Sequence, residues 1–142
     1  MQQEINTKNL ELELRHAESL EDFFNENEQA LKAKNVSEYL DDLLIKYKAG
    51  KGDVVRKSGI AGTYGYQIFD GTRSAGREKL LQLAFGFPLK VEETQRLLRC
   101  GGYAELYVKK RREAFLIYAL EKGYDINHVN EMLYENGEKT LE

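Results

Sequence analysis

The run Gly59-Ile60-Ala61-Gly62-Thr63-Tyr64-Gly65-Tyr66-Gln67-Ile68-Phe69-Asp70-Gly71-Thr72-Arg73 constrains the fold of this chain more than any other stretch. A helical segment precedes it. Gly59 opens a tight turn, and Gly71 closes the segment that follows. Glycine takes the left-handed backbone conformation that such turns need. Two short helices punctuated in this way read as a helix-turn-helix, with the second helix presented outward to a partner. The major groove of double-stranded DNA is the natural fit for such a helix.

The other helices follow from apolar spacing and from their stop signals. Leu20, Phe23, Phe24 and Leu31 recur at helical steps after Ser19. Leu40, Leu43, Leu44 and Tyr47 form a stripe that starts at Ser37 and ends before Gly50. A short helix runs from Asp53 to Ser58, and the presented helix from Thr63 to Asp70. Helices over 77–87, 91–100, 109–121 and 126–135 complete the set, about eight in all. The lone proline, Pro88, disfavours helix in the residue before it and so ends the 77–87 segment. No convincing period-2 strand appears, so the expected class is all-α.

The C-terminal half echoes itself. A shift of 35 residues lays Arg77-Glu78-x-x-Leu81-x-x-Ala84 on Arg112-Glu113-x-x-Leu116-x-x-Ala119, and Leu98, Gly102 and Leu106 on Leu133, Gly137 and Leu141. The expectation is two successive helical hairpins of similar shape, stacked on a shared apolar face. Leu81 and Leu116 should then occupy equivalent buried positions.

Composition narrows the function. The chain has 142 residues, is 42% hydrophobic and carries a net charge of −3. No apolar run approaches the roughly 20 residues of a membrane span. Met1 to Leu14 is polar and does not read as a secretory signal. The single cysteine, Cys100, cannot form an internal disulfide and points to a reducing, cytoplasmic setting. With His16 and His128 far apart in sequence, no metal site is expected, and no cofactor. The charge is uneven: residues 36–90 hold nine Lys and Arg against six Asp and Glu, and the flanks are acidic. That favours modest phosphate affinity in the middle segment. No nucleophile elbow, Walker loop or zinc-protease motif is present, so the chain does not read as an enzyme.

From residue 51 to 73 the chain resembles the lambda repressor/Cro-type helix-turn-helix family. Lys51 stands at the family's second-helix start, Val54-Val55 at its apolar-small pair and Gly59-Ile60-Ala61 at its turn. Tyr64, Gln67, Ile68 and Gly71 also match. Leu80-Leu81-Gln82-Leu83-Ala84 and Glu92-Glu93-Thr94, with Leu97-Leu98, are similar to its fourth and fifth helices. The resemblance implies a lambda repressor-like five-helix core over 37–104. An acidic helical arm over 1–36 precedes it, and a helical hairpin over 105–142 packs on it.

The resemblance also implies a function. The family's base-reading positions fall on Gly62, Thr63, Tyr66 and Gln67. Gln67 is the best reader, because its amide can pair bidentately with adenine. Lys51, Thr72 and Arg73 would hold phosphates. Lys109-Lys110-Arg111-Arg112 is the one dense basic run, a second basic patch for phosphate or an acidic partner. It falls where a helix start disfavours cations. Some residues depart from the family pattern: Gly62 has no side chain where the family often places a reader, Gly65 lies within the presented helix, Phe69 replaces a usual Glu, and Asp70 adds a negative charge near the DNA backbone. The expected function is that of a bacterial transcriptional regulator that binds DNA as a homodimer. The alternative is a protein-interaction adaptor that presents Tyr64, Tyr66 and Phe69 to a protein partner, although Tyr64 and Phe69 fit core positions equally well.

Overall fold

The first helix, α1 (Val36–Tyr47), starts at a reciprocal cap. The Asn35 side chain accepts the Glu38 N–H at 2.8 Å, and the Glu38 carboxylate accepts the Asn35 N–H at 3.1 Å. Helix α2 (Lys51–Ser58) ends on Gly59 at φ 76°, and α3 (Gly62–Asp70) ends on Gly71 at φ 79°. Then come α4 (Arg77–Gly86), α5 (Val91–Cys100), α6 (Arg111–Lys122) and α7 (Ile126–Glu135). The Asp125 side chain opens α7 by accepting the His128 N–H at 2.8 Å. This computed structural model describes residues 34–142, and the whole of that stretch from Asn35 on is one unit. Among the described residues every regular element is a helix, and none is long and apolar enough to cross a membrane. The expected helix after Ser19 and the acidic arm lie outside the described residues.

Two helix starts differ by two residues from the sequence expectation, and those of α1 and α3 by one. Helix α2 begins at Lys51 rather than Asp53, because the Val54 N–H already bonds the Gly50 carbonyl at 3.1 Å. Helix α6 begins at Arg111 rather than Lys109, so Lys109 and Lys110 precede it. The peptide between Phe87 and Pro88 is cis, and α4 stops at Gly86, one residue earlier than expected.

Helix α2 sits at the centre of the N-terminal half, against both α3 and α4. Each contact is a close approach at a glycine. A Cβ on Gly65 would lie 2.4 Å from Val55 Cγ1, and a Cβ on Gly86 would lie 2.6 Å from the Val54 carbonyl oxygen. Val54, Val55, Ile68, Phe69, Leu80, Leu81 and Phe85 fill the core around these crossings. The turn between α2 and α3 is tied down from below. Ser58 Oγ donates to the Val55 carbonyl at 2.6 Å, and buried Gln82 on α4 donates to the Ser58 carbonyl at 3.3 Å. Ser37 at the start of α1 donates to the Phe69 carbonyl at 2.5 Å and so satisfies a carbonyl at the end of α3.

The two C-terminal hairpins repeat one another in burial and in several hydrogen bonds. Leu81 and Leu116 are both fully buried, as are Ala84 and Ala119, and Leu98 and Leu133. Gly102 and Gly137 both take positive φ. Arg77 donates to the carbonyls of Ala104 and Glu105; Arg112, its equivalent, donates to those of Lys139 and Thr140. Gln95 exchanges two bonds with the Leu106 backbone, and Asn130 exchanges the equivalent two with Leu141.

The hairpins also pair reciprocally. Arg77 forms a two-bond fork with Glu113 at 2.9 and 3.2 Å, while Arg112 forms one with Glu78 at 2.6 and 3.1 Å. In a solenoid each unit passes its contact onward to the next. Here each arginine reaches the other hairpin's glutamate, which is the signature of a local two-fold. Helix α5 meets α6 and α7 meets α4, as the same symmetry requires.

Glu113 is buried, and burial alone would raise its pKa. The Arg77 guanidinium, the Tyr107 N–H and the Lys110 charge outweigh this and hold the carboxyl below the ordinary glutamate range. A depressed folded pKa adds stability above the unfolded value, about 4.3, that is lost as pH falls through the folded value. Glu113→Gln should therefore cost about 2 kcal/mol at neutral pH, below the fully buried range because Arg77 keeps a quarter of its exposure. Urea unfolding at pH 7 and at pH 3 checks this: the wild type should lose more stability between the two than the variant does.

Candidate functional site

Helix α3 divides along its length. Gly65, Ile68 and Phe69 are buried and Gly62, Thr63 and Tyr66 exposed, with Tyr64 and Gln67 half-buried at the two boundaries. The two sets alternate because residues one turn apart share a face. All four residues expected to read bases thus lie side by side. Gly62 and Thr63 are exposed, with nothing within 4 Å of where a Gly62 Cβ would sit. Gln67 is half-buried, and its side-chain amide makes no hydrogen bond among the described residues. Tyr66 is 45% exposed, but its hydroxyl lies back against α2, 2.7 Å from where a Cβ on Gly52 would be. The absence of a side chain at Gly52 leaves room for that ring.

The residues expected to hold phosphates gather at the C-terminal end of α3. Lys51 reaches across from the start of α2 to Asp70 at 3.0 Å. Thr72 and Arg73 follow Gly71, and both of their N–H groups bond the Gln67 carbonyl, at 3.1 and 3.3 Å. The Arg73 guanidinium lies over the Tyr64 ring, 4.1 Å from its centroid, with the arginine itself exposed. Helix α3 has no side-chain cap at its start, where Ala61 is the N-cap residue. The N–H groups of its first turn are therefore open to an acceptor.

Of the two readings open for Phe69, presented or core, the core one holds: it is 1% exposed. It occupies the inward side of α3 beside Ile68, where a charged side chain could not be accommodated without a partner. With Tyr64 partly buried beneath Arg73, Tyr66 alone remains of the aromatic face. Gly65 carries a helix crossing, since no side chain fits between α3 and Val55.

The basic run at 109–112 is divided between two settings. Lys109 and Lys110 are exposed. Arg111 bonds Glu138 at 2.5 Å and the Asn136 carbonyl at 3.0 Å, while Arg112 forks onto Glu78 and the tail carbonyls. These acidic partners offset the cost of cations at a helix start. The arginines tie the C-terminal tail and α4 to α6, and Arg111 remains exposed beside the lysines.

A second ionic cluster, missed in the sequence, joins α1 to α5. Lys46 bonds Glu93 at 2.5 Å, and the Tyr47 hydroxyl donates to the same carboxylate. Burial alone would raise Glu93, but these donors, with the Lys90 N–H, hold it below the ordinary range. Burial and the adjoining carboxylate push the Tyr47 hydroxyl well up. Glu93 also accepts the Lys90 N–H at 2.9 Å, so it serves as both helix cap and anchor for α1. The adjacent pair Glu92-Glu93 was the only available sequence signal.

Gly65→Ala should destabilise the fold by about 1–3 kcal/mol through overpacking against Val55. Combined with Val55→Ala, it should cost less than the two single losses added together. Thermal unfolding of the four-member cycle measures this, and strict additivity would show that the two sites do not touch. No protein-family model, curated protein or solved structure matches the chain.

Proposed function

We propose that the protein binds double-stranded DNA in a sequence-specific manner, as a bacterial transcriptional regulator acting as a homodimer, with α3 in the major groove. In this reading α1 to α5 form a lambda repressor-like core. One observation carries it: the four outward residues of α3 form a continuous face, and Lys51, Thr72 and Arg73 frame its C-terminal end.

Gln67 is the principal base reader, with its amide uncommitted and free to pair with adenine. Thr63 contacts a thymine methyl or a phosphate. Gly62, with open space around it, lets the uncapped start of α3 approach a phosphate closely. Tyr66 fills the angle between α2 and α3 and meets the groove with its exposed edge. Arg73, stacked on Tyr64, is pre-positioned for a phosphate. A dimer of this motif reads half-sites about one helical turn apart. The adaptor reading retains only Tyr66 as an aromatic anchor on α3, and nothing else in the region favours it.

Lys51 enters this scheme already occupied. Asp70 holds it at 3.0 Å in an exposed ion pair, and Asp70 sits at a helix C-terminus, where an anion is disfavoured. Such pairs contribute about 0–1 kcal/mol, so a phosphate displaces the carboxylate readily. Selection against a random duplex library should enrich a short paired motif, and Gln67→Ala should relax it. No enrichment at low salt would end this reading. In the same binding assay, Asp70→Asn should tighten affinity by about threefold, since it frees Lys51 and removes a charge that repels the backbone. Unchanged affinity would show that Lys51 does not contact DNA.

A further inference from the structure

The internal two-fold relates two loops as well as two hairpins. The shift of 35 residues lays Tyr107-Val108-Lys109-Lys110 on Thr72-Arg73-Ser74-Ala75. Each loop leads into a helix start that carries fork residues, Arg77 and Glu78 on α4 and Arg112 and Glu113 on α6. The forks hold these two helix starts against one another. Further bonds stitch the loops to the same place. Tyr103 donates to the Ala75 carbonyl at 2.8 Å, and the Tyr107 N–H donates at 2.7 Å to Glu113, the carboxylate that Arg77 holds. Arg73 and Lys109 each lie four residues before a fork residue, so each is within about 14 Å of the forks along the chain. One turn of duplex, about 34 Å, spans a separation of that size.

The charges at this end are unevenly committed. Its carboxylates are taken: Glu78 and Glu113 by the forks, Glu105 by Arg99 at 3.0 Å, and Glu138 by Arg111 at 2.5 Å. Lys109 and Lys110 are exposed and make no ion pair among the described residues. Two uncommitted cations thus stand at the end of the molecule that also carries Thr72 and Arg73. In the first copy this loop frames the C-terminal end of α3; in the second it adds positive charge beside that frame. A cationic surface that continues outward from a reading helix suits the phosphate backbone, which offers charge without sequence.

We propose that Lys109 and Lys110 form a second phosphate clamp, which grips the duplex backbone beyond the stretch that α3 reads. The inference rests on the DNA reading above and adds a contact from outside the five-helix core. The salt dependence of binding tests it, with the full chain and a mixed-sequence duplex of about two turns. Lys109→Gln with Lys110→Gln should lower the slope of log affinity against log salt by about 1.8, the counterion release of two phosphates. It should weaken all duplexes by a common factor and leave the motif selected from a random library unchanged. Lys109→Arg with Lys110→Arg should keep the wild-type slope. Lys57→Gln with Lys122→Gln removes the same charge at the far ends of α4 and α6, where Lys57 lies by Pro88 and Lys122 ends α6, and should also keep it. A Lys109 and Lys110 variant with the wild-type slope overturns the proposal and leaves the DNA reading standing. An equal fall in slope from the Lys57 and Lys122 pair overturns it too, because net charge rather than position would then be the cause. A wild type that binds no duplex at low salt overturns both readings.

Discussion

The arrangement depends on how closely two helices approach α2. Gly65 lets α3 lie against Val55, and Gly86 lets α4 lie against the Val54 carbonyl. Neither site admits a methyl group without movement of backbone or of a branched side chain. Helix α2 is thus fixed from two sides, and the angle of α3 follows. With Gly65, Ile68 and Phe69 committed to the interior, the helix period leaves Gly62, Thr63, Tyr66 and Gln67 outside. The outward face is therefore set by the inward one. Glycine costs about 0.5–1 kcal/mol of helix propensity against alanine, and packing at the crossing offsets that loss.

A second constraint holds the C-terminal half. Each hairpin closes on itself through an arginine fork to its own following loop, and on its twin through a fork to the other's glutamate. The duplication makes one set of interactions serve twice, and the reciprocal geometry ends the array at two units. Because α4 belongs both to this pair and to the crossing with α2, the outward helix and the C-terminal hairpin share one rigid element. A change at Arg112 or Glu78 acts on α4 directly.

Much of this was legible in the sequence because it is local. The apolar spacing placed all seven described helices to within two residues, and the 35-residue echo foretold the equivalent burial of Leu81 and Leu116. What escaped was non-local. Gly65 reads as a defect until Val55, ten residues earlier in the chain, is seen against it. Phe69 suits either an interaction anchor or the core, and the packing of α3 decides for the core. Arg111 and Arg112 look like a basic patch because their partners, Glu138 and Glu78, lie 27 and 34 residues away. Lys51 and Asp70 are likewise 19 residues apart. The outward positions of α3 were legible from its period; the ion pairs around them were not.

The central claim is that the outward face of α3 meets DNA. Amide chemical-shift mapping tests it most directly: a short mixed-sequence duplex is titrated into the labelled protein at low salt, where phosphate affinity is greatest. The account predicts the largest shifts at Thr63, Gln67, Lys51 and Arg73, with α6 and α7 little changed. Shifts confined to α6 and α7, or none at all, would contradict it.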